Sequence, residues 1–194
     1  MRYADDIVLG FAREDDARRV MDILPKRFER YGLTLHPEKT RMLDFRKPGR
    51  PPGPKGPDAK SGPESFDLLG FTHYWGKSLR GNWVIKRKTA KGRFSRAVRR
   101  IDQWCRANRH LPMGEQWKTL CRKSRGHNEY YGMTGNSTAL VRFRKAVQRQ
   151  WKFWLGRRSQ KAKRSWEWFN QIKKRFPLPS PIAVHSILRH AANP

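Results

Sequence analysis

The stretch MRYADDIVLGF, residues 1–11, places two adjacent carboxylates, Asp5 and Asp6, directly before an apolar run. Residues 7–11 are apolar enough to predict a buried strand. Two like charges this close repel each other and disfavour ionisation of both groups. The pair makes chemical sense if a divalent cation neutralises it, because Mg²⁺ binds carboxylate and phosphate oxygens. A solvated Asp-Asp turn is the alternative, and the dipeptide alone is weak support for a metal site.

Composition limits the class of protein. The chain has 194 residues, of which 37% are hydrophobic, and its 8 Trp and 10 Phe argue against a disordered chain. The sequence contains no run long and apolar enough to span a membrane, and we expect no secretory signal. Its two cysteines, Cys105 and Cys121, form neither a disulfide framework nor a metal-ligand pattern. We therefore expect a reducing, cytoplasmic compartment, either bacterial or an organellar matrix.

Charge is unevenly distributed along the chain, and the formal net charge is +28. Residues 1–76 carry 14 Lys or Arg and 12 Asp or Glu, a net charge of +2. Residues 77–194 carry 30 Lys or Arg and 4 Asp or Glu, a net charge of +26. This second part also alternates aromatic and basic residues, which suits either nucleic-acid stacking surfaces or a buried aromatic core. A polyanion, most commonly a nucleic acid, is the expected partner.

The first part of the sequence predicts a mixture of strands and one helix. Residues 14–31 have apolar side chains at helical spacing, with Pro25 inside the helix and Gly32 positioned to end it. Residues 33–35 and 42–45 are predicted as short strands. Residues 46–65 are rich in Pro and Gly and predict an exposed loop. A strand pair is then predicted in residues 66–75 and 82–88.

The second part of the sequence predicts helices with aromatic inner faces. Apolar residues recur at helical spacing from residue 91 onward, which favours a packed helical bundle over any cofactor role for the tryptophans. GHNEYYG, residues 126–132, is predicted as a polar turn before a short third segment that holds Tyr130 and Tyr131. His127 and Asn128 are expected to help the helices of this part pack, with RNA contact as a secondary role. The predicted stripes contain Phe94, Val98, Ile101 and Cys105; Trp117, Leu120 and Cys121; Leu140, Phe143, Val147, Trp151 and Trp154; and Trp166, Phe169 and Ile172.

The motifs occur in an order that resembles group II intron-encoded reverse transcriptases with a maturase domain. RYADDIVLGF is similar to their catalytic hairpin, YGLTLHPEKTRMLDF to the next palm motif, and FDLLGFTH to the motif that holds the primer end. RGHNEYYGM and FWLGRRSQKAKRSWEWF are similar to the maturase domain, which forms the thumb. The resemblance implies an α+β fold: a partial palm of antiparallel hairpins with one helix in residues 1–90, an all-α maturase or thumb domain in 91–180, and a tail in 181–194.

The same resemblance implies roles for individual residues. Asp5 would be a ligand of catalytic Mg²⁺ with Asp6 beside it, Tyr3 would lie near the nucleotide pocket, and Lys39 would lie near the incoming triphosphate. Surface exposure is the alternative for Lys39. Leu69, Gly70 and Phe71 would form the primer grip, although Leu69 and Phe71 also suit a core. The candidate RNA-binding cations are Arg99, Arg100, Arg122, Lys123, Arg125, Arg157, Arg158, Lys161, Lys163 and Arg164.

The family pattern places the fingers and a first palm aspartate before the catalytic hairpin, and the sequence begins at that hairpin. We therefore expect an incomplete magnesium site and no polymerase activity from this chain alone, unless a partner chain supplies the fingers. The histidines and cysteines show no endonuclease pattern. Three functions stay open: the C-terminal part of a reverse transcriptase acting with RNA template and DNA primer, a stand-alone maturase module that binds group II intron RNA and promotes its splicing and mobility, and an inactive remnant.

Overall fold

The computed structural model describes residues 2–3, 6–49, 64–159 and 165–185. In these ranges the chain has an α+β architecture, with strands and one helix in its first part and four helices in its second. The chain divides into two compact units. The first unit comprises residues 1–69 and 74–85, and the second unit comprises residues 70–73 and 86–194. The predicted domain boundary near residue 90 stays a prediction.

The first unit begins with a short hairpin and a helix. Strand β1 (Arg2–Tyr3) pairs antiparallel with β2 (Asp6–Ile7), so that Arg2 faces Ile7 and Tyr3 faces Asp6. Helix α1 (Glu14–Glu29) carries three acidic residues in its first turn, where the positive end of the helix dipole favours them. Gly32 confirms its predicted role, since it adopts a φ of 65° while the Leu33 N–H donates to the carbonyl of Phe28.

Several predicted strands of this region are wrong. Residues 8–11 lie outside the β1–β2 pairing, which ends at Ile7, and Leu9 and Phe11 are about half exposed instead of buried. Residues 33–35 and 42–45 are irregular. Phe45 instead packs edge-on against Phe66 and accepts a hydrogen bond at its carbonyl from Trp75 Nε1 (3.0 Å). Most of the predicted loop at 46–65 lies outside the described residues.

A three-stranded antiparallel sheet follows, in the order β3 (Phe66–Leu68), β4 (Phe71–Lys77) and β5 (Trp83–Thr89). The sequence predicted one strand over residues 66–75. The structure divides it with a turn at Leu69 and Gly70, whose φ values are 51° and 80°. Gly70 meets this requirement without strain because it has no Cβ, whereas Leu69 is the only non-glycine residue with positive φ in the described chain. The second hairpin connection, residues 78–82, overlaps the predicted connection of residues 76–81, because β4 extends through Lys77.

The second unit contains four helices: α2 (Lys91–Ala107), α3 (Met113–Tyr131), α4 (Ser137–Leu155) and α5 (Trp166–Arg175). The predicted stripes of α2 and α4 are confirmed, since their apolar residues line one buried cluster. The prediction of a turn at residues 126–132 is wrong, because α3 continues through His127 to Tyr131. The buried residues of the cluster are Ile101, Cys105, Leu120, Cys121, Phe143, Val147, Trp151, Leu155, Phe169 and Leu178.

The side-chain amides of two buried residues, Asn136 and Gln116, connect neighbouring elements of the second unit. Asn136 accepts a hydrogen bond from the Thr89 N–H and donates to Thr89 Oγ1 and to the carbonyl of Tyr131. Gln116 donates to the carbonyls of the α2–α3 connection and accepts from Trp151 Nε1 at 2.9 Å. Each amide satisfies backbone groups that burial would otherwise leave unpaired, which would cost about 1–3 kcal/mol per group. Sequence periodicity identified neither residue.

The segment after α5, residues 176–185, returns along α3. The carbonyl of Pro177 accepts from Trp117 Nε1 at 2.8 Å, and His185 exchanges backbone hydrogen bonds with Gly132 and Thr134. The predicted tail therefore begins with five residues, 181–185, whose backbone lies against the end of α3. Among the described helices, none is long and apolar enough to cross a membrane.

Candidate nucleic-acid interface

The β1–β2 hairpin carries the predicted catalytic carboxylates. Asp6 lies in β2 opposite Tyr3, and its side chain is exposed. Asp5 lies outside the described residues, and so does the Tyr3 side chain. Tyr3 and Asp6 therefore pair across a hairpin, as the sequence predicts. Asp6 is the one carboxylate of the predicted pair that the structure describes.

The magnesium site predicted at the hairpin includes Asp6 among the described residues. Over these residues no group of three or more His, Cys, Asp or Glu gathers closely enough to hold a metal ion. Mg²⁺ is usually held by one or two carboxylates, with waters and substrate phosphates completing its octahedral shell. Asp6 can supply one such carboxylate, and magnesium binding at the hairpin stays a prediction.

Lys39 lies in the turn after α1, where its N–H donates to the carbonyl of His36 at 3.2 Å. Its side chain is exposed, and a contact with a triphosphate stays a prediction. Further along the chain, Arg46 forms an ion pair with Asp44, and this hydrogen bond lowers the pKa of the Asp44 carboxyl. The irregular end of the predicted palm motif is thus organised by side chains instead of strand pairing.

The predicted primer grip occupies the turn between β3 and β4. Phe71 is buried and contacts Tyr130 and Tyr131, with ring centroids 6.1 and 5.3 Å apart. A Cβ at Gly70 would lie 3.1 Å from the Tyr131 hydroxyl, so this position allows a close approach that other residues would hinder. Phe71 is therefore a core residue, which is the alternative that the sequence left open. A primer contact at this turn stays a prediction.

The predicted RNA-binding cations occupy several helices of the second unit. Arg99 and Arg100 are exposed on α2, and three others are exposed on α3. Arg157 follows α4 and lies over the ring of Phe153, with its Cζ 4.5 Å from the centroid. Lys161, Lys163 and Arg164 lie outside the described residues. The exposed members on α3 are Arg122, Lys123 and Arg125.

Arg158 differs from the other predicted contacts because it is half-buried and bonded to the backbone. Its Nε donates to the carbonyl of Arg109 at 2.6 Å, and its Nη2 donates to the carbonyl of Leu111 at 2.7 Å. Burial lowers the pKa of its guanidinium. These bonds tie the end of α4 to the α2–α3 connection, so the structure gives Arg158 a role in packing.

A basic groove lies between α4, α5 and the segment after α5, and sequence reasoning missed it. The groove has a volume of about 510 Å³. Arg144 donates to the carbonyl of Leu178 at 3.2 Å, and its buried Nε has no partner among the described residues. The adjacent lysines Lys173 and Lys174 are the available sequence signal. The lining residues are Arg144, Gln148, Asn170, Lys173, Lys174, Pro177 and Leu178, with no carboxylate among them.

His127 and the cysteines belong to the core of the second unit. The His127 ring stacks on Phe143 with centroids 3.6 Å apart, and burial lowers its pKa to about 4. Cys105 and Cys121 are buried and free, and burial raises the pKa of the Cys105 thiol to about 12. The structure confirms that the cysteines are small core residues and that His127 packs between two helices, α3 and α4. Asn128 donates to the carbonyl of Ser180 at 3.2 Å.

Comparison with known proteins identifies one family model. The model described as reverse transcriptase (RNA-dependent DNA polymerase) matches residues 1–73, which is less than half of the chain. No curated protein and no solved structure matches the chain significantly. The matched residues contain the β1–β2 hairpin, α1 and the turn at Leu69 and Gly70. The α+β architecture is compatible with part of a reverse transcriptase palm followed by helices, and the match supports a reverse transcriptase family for this chain.

Proposed function

We propose that the chain corresponds to the C-terminal part of a group II intron reverse transcriptase and maturase, and that it binds intron RNA to promote splicing and mobility. The observation that carries this proposal is the net charge of +26 on residues 77–194, most of which fold into the helical second unit. A surface of this charge attracts phosphates and gains affinity by releasing their counterions.

The placement of the cations supports binding over catalysis as the main activity. In α2 and α3 five of the predicted contacts are exposed, and the described salt bridges all lie in the first unit instead. These cations are therefore available to phosphates without first breaking an ion pair among the described residues. By contrast, the proposed Mg²⁺ ligands Asp5 and Asp6, and the action on RNA template and DNA primer, rest on the resemblance alone.

The second candidate is a stand-alone RNA-binding module or an inactive remnant that binds any polyanion. Counterion release contributes affinity without sequence information, so a basic surface by itself does not distinguish RNAs. A maturase must in addition recognise the shape or the unpaired bases of its intron. The two candidates differ in specificity at moderate salt, which can be measured.

The test is a competition between labelled group II intron RNA from the same locus and an unrelated structured RNA of equal length, in graded salt. A preference of about tenfold or more that persists at moderate salt is expected for a maturase, because shape and base contacts are less sensitive to salt than phosphate contacts. Equal binding of both RNAs that disappears as salt rises would contradict recognition of the intron.

Charge-matched variants locate the binding surface in the same assay. Arg122→Gln with Arg125→Gln removes two exposed cations from α3, and we expect weaker binding and a shallower salt dependence. Arg19→Gln with Arg27→Gln removes the same charge from α1 and should have a smaller effect. If both pairs weaken binding equally, the second unit is not the principal RNA-binding surface.

A further inference from the structure

The aromatic residues in and after α4 divide into a buried set and an exposed set. Trp151 and Phe169 have no exposed surface and pack edge-to-face in the core, with centroids 5.7 Å apart. Phe153 and Trp166 are each 47% exposed. The sequence left open whether these aromatics form a core or a stacking surface, and the structure buries some of them and exposes others. The exposed rings leave apolar surface that a partner could cover.

Each exposed ring has its own cation. The Arg157 guanidinium lies 4.5 Å from the Phe153 centroid, and the Lys152 ammonium lies 4.6 Å from the Trp166 centroid. Lys152 and Phe153 are consecutive residues in the last turn of α4, Arg157 follows that helix, and Trp166 begins α5. We call these four residues the stacking cluster. Glu167 is the single carboxylate in α4 and α5.

Contacts with anchored residues hold both rings. Phe153 packs edge-on against Trp154 at 5.1 Å, and Trp154 Nε1 donates to Asp102 Oδ1 at 2.7 Å. Trp166 packs edge-on against the buried Phe169 at 5.9 Å. The rings are therefore oriented before any ligand binds, which lowers the entropy that binding would cost.

We propose that the stacking cluster binds unpaired bases of single-stranded RNA. Each cation lies over one face of its ring, so a base would stack on the other face, and the cation would neutralise a phosphate that flanks that base. A partner that combines flat aromatic groups with regular negative charge fits both features, whereas an apolar protein surface would be opposed by the cations. This inference rests on the proposed function, since it takes RNA as the partner and assigns the contact to bases.

The test measures binding of a labelled single-stranded uridine oligonucleotide to the full chain and its variants in graded salt. Trp166→Ala and Phe153→Ala should each weaken binding by about five- to a hundredfold, as loss of one stacked base does. Trp166→Phe should retain most of the affinity because it keeps an aromatic face. Neither alanine variant should change the steepness of the salt dependence, since no cation is removed.

A second oligonucleotide with the same backbone and no bases separates stacking from other effects. It should bind wild type and Trp166→Ala equally, because it has no base that could stack on the ring of residue 166. Tyr31→Ala removes a ring that is 76% exposed in the first unit, and should leave binding unchanged. Thermal melting of each variant shows whether the second unit is folded.

The outcomes distinguish the two proposals. If wild type binds no RNA, the proposed function fails together with this inference. If wild type binds RNA but the alanine variants bind as tightly, or lose equal affinity for the oligonucleotide without bases, RNA binding stands and base stacking at this cluster is overturned. Equal loss in Trp166→Phe and Trp166→Ala would also overturn it.

Discussion

At the scale of single residues, His127 shows how burial changes chemistry. Its side chain is enclosed by Phe143 and Tyr131, with ring centroids at 3.6 and 4.6 Å, and its buried Nε2 has no partner among the described residues. A charged imidazolium would lose its hydration there without gaining a counterion. The ring is therefore neutral in the folded chain, and a general acid or base role at neutral pH is disfavoured.

This environment predicts a specific pH dependence of stability. Burial lowers the pKa of His127 from 6.5 to about 4, so the unfolded chain binds a proton that the folded chain excludes. The free energy of unfolding is therefore highest, as far as His127 determines it, above about pH 6.5. It decreases as the pH falls towards 4, by at most about 3 kcal/mol. Denaturant unfolding between pH 4 and 7 should show this loss, and His127→Phe should remove it.

A matched variant makes the test specific. His110 is exposed in the α2–α3 connection, so His110→Gln should leave the pH dependence of unfolding as in wild type. If His127→Phe keeps the full wild-type slope between pH 4 and 6.5, another group is responsible and the burial argument for His127 is wrong.

At the scale of elements, sequence patterns predicted those whose apolar residues face one core. α2 and α4 were predicted because residues such as Ile101 and Val147 recur at helical spacing and all enter the same cluster. The end of α3 was missed because Gly126 and the polar residues after it resemble a turn, whereas packing of His127 and Tyr131 continues the helix. Tertiary contact overrides local preference there.

The predicted strands failed for a different reason. Alternating apolar residues in 33–35 and 42–45 satisfy a strand pattern, but a strand also needs a neighbour whose backbone groups are free to pair. In the described chain Phe45 is instead held by aromatic contacts and by Trp75.

The basic groove was missed because it combines residues from α4, α5 and a later segment, and no local sequence pattern connects them.

The junction between α3 and residues 182–185 gives an element-scale prediction. A Cβ at Gly132 would clash with the carbonyl oxygen of Asn128 in α3, and it would lie 2.9 Å from the carbonyl oxygen of Ile182 and 3.1 Å from the nitrogen of Val184. Gly132→Ala should therefore distort the end of α3, displace the segment that packs there and lower the free energy of unfolding by about 1–3 kcal/mol. Limited proteolysis should cut residues 176–185 faster in the variant than in wild type.

Gly126 provides the same substitution at an open position of the same helix. Nothing lies within 4 Å of its added Cβ, so Gly126→Ala should stabilise α3 by about 0.5–1 kcal/mol. The two variants should thus shift the unfolding midpoint in opposite directions. Equal shifts would mean that the segment after α5 does not depend on close approach at Gly132.

At the scale of the whole molecule, charge is concentrated where the chain is helical, and the basic groove lies within that part of the chain. Arg144 is fixed in it by the carbonyl of Leu178, while Lys173 and Lys174 stand at the end of α5. Three cations over an apolar floor of Pro177 and Leu178 suit a phosphate with its attached sugar. We expect this groove to contact the RNA backbone.

Lys173→Ser with Lys174→Ser tests that contact. Each phosphate contact that is lost reduces the number of counterions released on binding. The slope of log affinity against log salt for single-stranded RNA should therefore become shallower by about 1.5. Lys118→Ser with Lys145→Ser removes two exposed lysines that do not line the groove, and it should change the slope less. Identical slopes for the two pairs would show that RNA follows the overall field of the chain and does not enter the groove, because a field acts on total charge and both pairs remove the same amount.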